Sequence, residues 1–356
     1  MNLIFLQVRV NRSKTFWFNL DTGLETTVFD AKQAEELGLK LEDKTLVSVP
    51  GGSVQLAFAR GVSLSLPGLQ MLNQRVRTIP LSDFTPVLGR AIHGTIGHDL
   101  FNRFAVEIDY GARVIYLYEP EDYEYSGTGE IIPVKIENEE PFVHAKLIQP
   151  GRAPIDAKLK LDTGSVNELG LNGSFVQAVK LVGSAQKVVP QPGVALGGFT
   201  ENYVTRIAGL ELGNIFIKNP VVGYSKDLTR TGDAGTIGGE IFRRFKVILD
   251  YSRERMILER NRHFDEPYKY DASGLFLIVD MNFGSFKVLR VTENTPAFEA
   301  GLHEEDVIMA IDDAPTSTFT METMRQVFTR AGNTYRIRFK RGRETKQTKI
   351  KLRTLI

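Results

Sequence analysis

The sequence predicts a mainly β protein: two pseudosymmetric β lobes, residues 1–124 and 130–260, facing each other across a cleft, then a smaller α+β unit at 273–356. Three observations lead there. The tetrapeptide Leu20-Asp21-Thr22-Gly23 returns as Leu161-Asp162-Thr163-Gly164, and Gly94-Thr95-Ile96-Gly97 returns at the same offset as Gly235-Thr236-Ile237-Gly238. Residues 94–110 and 235–251 agree at ten of seventeen positions, ending in Asp109-Tyr110 and Asp250-Tyr251. Between these blocks the chain falls into short alternating apolar and polar runs separated by Gly, Pro and Asn, the pattern of many short strands. After Arg260 the repeat stops and a different pattern begins.

Taken in order, Leu3–Val10, a turn at Asn11–Lys14 and Thr15–Leu20 read as a β-hairpin. The second copy repeats it from Phe142–Ile148 through Gln149–Arg152 to Ala157–Leu161. Each Asp-Thr-Gly therefore stands where a strand ends in a tight turn. A short helix follows the first copy, capped by Asp30 and closed at Gly38. Tyr125–Gly129 connects the lobes, and the charged, aromatic stretch Asn261–Asp271 reads as a linker. Beyond it come two strands, a Pro-Ala turn, a strand, a helix near Met321–Arg330 and two closing strands.

Composition excludes more than it suggests. The 356 residues are 42% hydrophobic with a net charge of +1, so neither nucleic acid nor an acidic surface is an expected partner. There is no cysteine to form disulfides or thiolate metal sites, and the five histidines show no ligand spacing; we expect no metal and no cofactor. No apolar run reaches the ~20 residues of a membrane span. Strand-like alternation starts at Leu3 without a basic leader, which we read as a mature start with a signal peptide removed.

Two carboxylates on duplicated turns suggest acid/base chemistry. Held close together they cannot both ionise cheaply, so they share one proton. The ionised member then takes a proton from water while the other polarises a carbonyl. Gly23 and Gly164, lacking Cβ, let the turns approach and direct backbone N–H groups at the carboxylates. Ser165 follows the second glycine where Leu24 follows the first, so unequal roles are expected for Asp21 and Asp162.

Asp21-Thr22-Gly23, Asp162-Thr163-Gly164, Thr95-Ile96-Gly97 and Thr236-Ile237-Gly238 together resemble the aspartic proteases of the retropepsin/pepsin clan, with two lobes in one chain. The resemblance implies an endopeptidase with Asp21 and Asp162 as the catalytic pair, acting on protein or peptide substrates, and a dyad that a monomer can assemble. It implies that the hydroxyls of Thr22 and Thr163 cross-link the turns and that Ser165 hydrogen-bonds the neighbouring aspartate. Gly97 and Gly238 would lie behind the catalytic turns. Gly51, Gly52, Gly197 and Gly198 are candidate tips of flaps that close over substrate.

In the third unit, Ser273-Gly274-Leu275-Phe276, Asn294-Thr295-Pro296-Ala297 and Ala300-Gly301-Leu302 resemble a PDZ domain of the bacterial, permuted type. By that resemblance Gly274, Leu275 and Phe276 form the carboxylate-binding loop and edge strand for a peptide or C-terminal tail. The compartment it implies is extracytoplasmic, in a bacterium. Two other classes stay open at this point: a catalytically silent peptide-binding protein, and a scaffold tethered through the PDZ unit.

Overall fold

Both hairpins form, for the reason the alternation gives. Strands β1 (Phe5–Val10) and β2 (Thr15–Leu20) turn through Asn11, a residue type that tolerates its φ of 53°. Val8, Val10, Phe16, Phe18 and Leu20 are buried. The computed structural model describes residues 2–49, 51–228, 232–280 and 284–356. The first half continues with β3 (Val28–Asp30), β4 (Leu41–Val49), β5 (Gly52–Leu66), β6 (Leu69–Ile79) and β7 (Gly94–Ile96). These make one sheet in the order β1-β2-β7-β3-β6-β5-β4, and β1 also pairs β5, curling the sheet toward a barrel. The expected helix is Ala31–Glu36. The Asp30 side chain accepts the Gln33 N–H, and Gly38 ends it at φ 68°.

The second half repeats this order strand for strand: Glu140–Ile148, Ile155–Asp162, Gly235–Gly238, Leu169–Leu171, Val221–Ser225, Gly198–Arg206, Val189–Ala195. A hairpin, Gly209–Leu212 with Ile215–Lys218, is added at the outer edge. In each half the aspartate-bearing strand runs parallel to the strand of the second repeated block. Leu20 lies opposite Ile96, and Leu161 opposite Ile237. The fold is thus mainly β with two related lobes and a PDZ unit, as the duplication implied.

Two features were not legible. A five-stranded sheet mixes the halves, in the order Glu130–Pro133, Arg255–Arg260, Phe245–Asp250, Ala105–Asp109, Val114–Tyr118. Ala105–Asp109 and Phe245–Asp250 are the ends of the two duplicated blocks, and they pair antiparallel with Val106 and Val247 fully buried. One apolar core consequently runs through both halves. The second feature corrects the linker reading of Asn261–Asp271. Arg244, 1% exposed, donates to the carbonyls of His263, Phe264 and Glu266, pairs with Glu240 and stacks 3.7 Å over the Tyr268 ring. Phe264, Tyr268 and Tyr270 pack onto the core. Their apolar area outweighs the charge that made the stretch look solvated.

The PDZ unit is one sheet in the order Leu275–Asp280, Ser285–Val291, Val307–Ile311, Thr334–Arg341, Glu344–Lys351, with Leu275–Asp280 at the edge. Its helix Met321–Phe328 starts in a capping box between Thr320 and Thr323 and buries Met321, Met324 and Phe328. Among the described residues no helix is long and apolar enough to cross a membrane.

Arg244→Met should cost about 3–5 kcal/mol in denaturant unfolding, because Glu240 and three carbonyls lose a buried donor. A change under about 1 kcal/mol would mean that the 261–271 segment is anchored by its aromatic residues alone.

Candidate active site

The two Asp-Thr-Gly turns meet through a reciprocal lattice. Thr22 Oγ1 donates to the Leu161 carbonyl at 2.7 Å, and Thr163 Oγ1 donates to the Leu20 carbonyl at 3.0 Å. Each hydroxyl also accepts the other threonine's backbone N–H, both at 3.1 Å. Both threonines are 1% exposed, so all four bonds are shielded from water. Asp21 and Asp162 stand beside this lattice, partly open to solvent and sharing a side-chain hydrogen bond.

The glycines are where chain crowding requires them. A Cβ on Gly164 would collide with the Asp21 carboxylate, and one on Gly23 would lie 3.0 Å from Asp162 Cγ. Gly97 backs onto the Leu24 and Thr26 carbonyls, where a Cβ would sit at 2.7 and 2.8 Å. Gly238 is packed as tightly against the Asn167 carbonyl.

The dyad is electrostatically unequal. Burial lifts Asp21, the Asp162 charge adds to it, and its pKa is pushed up to about 8 against the Gly23 N–H at 2.7 Å and a smaller pull from the Lys160 cation. Burial raises Asp162 as well. There the Lys160 cation, the hydrogen bond from Asp21 and the N–H groups of Ser165 and Gly164 pull the other way. This imbalance favours the shared proton on Asp21 and the charge on Asp162. Ser165 reaches Asp162 through its backbone; its hydroxyl accepts the Asn167 N–H at 3.3 Å instead of serving the carboxylate as the resemblance implied.

Lys160 was missed at the sequence level. It lies two residues before Asp162 on the same strand face, 9% exposed. Its Nζ donates to Glu140 Oε1 at 2.6 Å and to the Gly23 carbonyl of the other half at 3.2 Å. The available signal was the duplication itself, since Asn19 occupies the matching position in the first half. Asn19 is buried too, and its Oδ1 has no partner among the described residues.

Hairpin β4–β5 and the hairpin Val189–Ala195 with Gly198–Arg206 touch tip to tip. A Cβ on Gly51 would lie 2.7 Å from the Gly198 nitrogen, and one on Gly52 would lie 2.6 Å from the Gly197 carbonyl. The four candidate flap glycines are therefore mutual neighbours. Val28, Ile79, Leu81 and Ile92 form a separate apolar cluster joined by Leu24, just after the first turn, by Leu56 of the first hairpin and by Leu196 of the second tip. His98 hydrogen-bonds the Leu24 carbonyl through its N–H, and its ring lies 5.9 Å from that of Tyr251, as a packing residue would.

Residues 6–100 match the family described as aspartyl protease. The match runs from β1 through the first Asp-Thr-Gly turn and β7. The second half lies outside that match, although it repeats the strand order of the first. Residues 270–352 match the PDZ domain family. No curated protein matches the chain. The chain thus joins an aspartyl protease-like domain to a C-terminal PDZ domain.

The raised dyad makes stability fall with pH. Folded, the pair keeps up to about pH 8 a proton that the separate unfolded carboxyls, with ordinary values near 3.8, have already released above about pH 4. The folded state binds more protons in that window, so stability drops as pH rises through it. Asp21→Asn removes the effect. Thermal melts should show the variant more stable than wild type at pH 8, the gap closing toward pH 4. A gap of constant size would mean that Asp21 does not hold the proton.

Proposed function

We propose that the chain is an aspartic endopeptidase of the two-lobed, retropepsin/pepsin-like kind, with Asp21 and Asp162 as its catalytic pair. The observation that carries the reading is the buried threonine lattice, which holds two unequal carboxyl groups side by side at the junction of the two halves. A peptide bond needs an activated water and a protonated leaving amine. In the proposed step, Asp162 takes a proton from a bound water as its oxygen attacks the scissile carbon. Asp21 gives its proton to the carbonyl oxygen, producing a tetrahedral diol. The proton on Asp162 then passes to the nitrogen as the C–N bond breaks, and the diol returns a proton to Asp21. Gly51, Gly52, Gly197 and Gly198 would act as flap tips that exclude water. The apolar wall around Leu24, Leu56 and Leu196 suits the side chains of an extended peptide.

Digestion of a peptide library tests this. Asp21→Asn and Asp162→Asn should each lower cleavage by about 10²–10⁴-fold, with the double variant no worse than the singles because the pair acts as a unit. Peptide binding with no cleavage by wild type would support the silent-receptor reading instead. Activity should rise linearly with enzyme concentration, since one chain supplies both turns; a quadratic rise would mean that the site forms between chains.

Lys160→Met removes the cation that favours ionised Asp162, so the acid limb of the rate profile should move up by about one pH unit, while Lys160→Arg keeps it in place. Equal profiles for both variants would reduce Lys160 to a tether for the Gly23 carbonyl.

A further inference from the structure

A PDZ domain binds peptide between its edge strand and the facing helix, here Leu275–Asp280 and Met321–Phe328. In this chain both ends of that groove are filled from within. At the loop end, the Asp271 carboxylate accepts the N–H of Ser273 at 3.1 Å and of Gly274 at 2.5 Å. The Ser273 hydroxyl accepts the N–H of Leu275 at 3.0 Å. Two amides that the sequence assigned to a peptide's terminal carboxylate, those of Gly274 and Leu275, are thus already engaged by the chain's own side chains.

At the other end sits a piece of the first lobe. The single helical turn Thr85–Leu88 follows β6, and Gly89 closes it at φ 69°. Arg325 of the groove helix donates through Nη2 to the Val87 carbonyl at 3.0 Å. Gly89 is pressed between helix and strand: a Cβ there would lie 2.6 Å from Met321 Cβ and 3.3 Å from Val279 Cγ2. The same segment has a second side. Phe84 and Leu88 pack in the apolar cluster with Leu24, Leu56 and Leu196, which puts them between the PDZ groove and the catalytic cleft. The PDZ unit also touches the base of the second hairpin, where Thr292 Oγ1 donates to the Pro190 carbonyl at 3.3 Å.

We propose that the resident ligand of the PDZ groove is this chain's own segment Thr85–Gly89, and that by holding it the PDZ domain sets the wall of the substrate cleft. The docking stands on the contacts above; the word substrate rests on the peptidase reading. The resident is a helical turn, and among the described residues the edge strand pairs only with Ser285–Val291. A free extended peptide could reach the helix end only by displacing the turn, so groove occupancy and cleft shape are linked. The domain works as a brace rather than as a tether for distant substrates.

A matched pair of glycine substitutions in the full chain tests this. Gly38 and Gly89 have φ of 68° and 69°, but Gly38 faces open space while Gly89 faces Met321. Asparagine tolerates that conformation, so Gly38→Asn carries the same backbone cost without the collision. Gly89→Asn should speed amide hydrogen exchange about tenfold over residues 84–92 and 321–328, and over the hairpins bearing Leu56 and Leu196. It should raise KM for a peptide substrate about tenfold with kcat nearly unchanged, whereas Gly38→Asn should do neither. Arg325→Met, which only deletes the donor to Val87, should move the same readouts the same way by a smaller factor. Indistinguishable behaviour of the two asparagine variants, with no response to Arg325→Met, overturns the docking. Exchange that responds in the PDZ groove while the hairpins and KM stay fixed overturns the coupling to the cleft. If wild type cleaves no peptide, the peptidase reading fails alone, because hydrogen exchange at the groove and the hairpins still judges docking and coupling.

Discussion

The meeting of the two Asp-Thr-Gly turns depends on four hydrogen bonds between Thr22 and Thr163 and the strand ends Leu20 and Leu161. A typical bond of this kind is worth about 1 kcal/mol net, yet a buried donor left unpaired costs about 1–3. The lattice therefore acts less as glue than as a register lock, since any slip of one half against the other would orphan several buried groups at once. With the register locked, Gly23 and Gly164 must be glycine, because each turn presses against the opposite carboxylate. Burial at this junction lifts both acids above their ordinary range, and the Asp162 charge lifts Asp21 further.

On this symmetric frame the chemistry is asymmetric. Duplication supplies two equal turns, and their surroundings make them unequal. Lys160 stands where the first half has Asn19, and Ser165 adds an N–H to Asp162. A dyad with identical environments would share its proton evenly. Here the Lys160 cation, which weighs more on Asp162 than on Asp21, and the extra amides at Asp162 divide the roles. Lys160 also contacts the Gly23 carbonyl, so one side chain both biases the charge and holds the opposing turn.

The PDZ domain packs against both halves rather than hanging free of them. Arg244 sews the 261–271 stretch to the second half, Arg325 holds the cleft-wall turn, and Thr292 meets the second hairpin. These contacts reach both halves of the cleft, so strain at the groove has a short physical route to the apolar wall around Leu24.

By itself the sequence determined the duplicated β architecture, the two aspartates, the glycines around them and the PDZ character of the last unit. All of these are written in local pattern: alternation, turn residues and repeated tetrapeptides. The meeting of Gly51 and Gly52 with Gly197 and Gly198 was legible only as four turn glycines, because a hairpin tip needs glycine whether or not it touches another. Tertiary structure alone decided the rest. Val106 and Val247 look like ordinary strand residues until a shared sheet pairs Val106 with Leu249 and Val247 with Ile108, and Asn261–Asp271 looks solvated until Arg244 collects its carbonyls. Gly89 reveals the occupied groove only through Met321 and Val279, neighbours far away in the chain. Pairings of that kind follow from which surfaces bury each other when the chain collapses, and no periodicity within one segment encodes them.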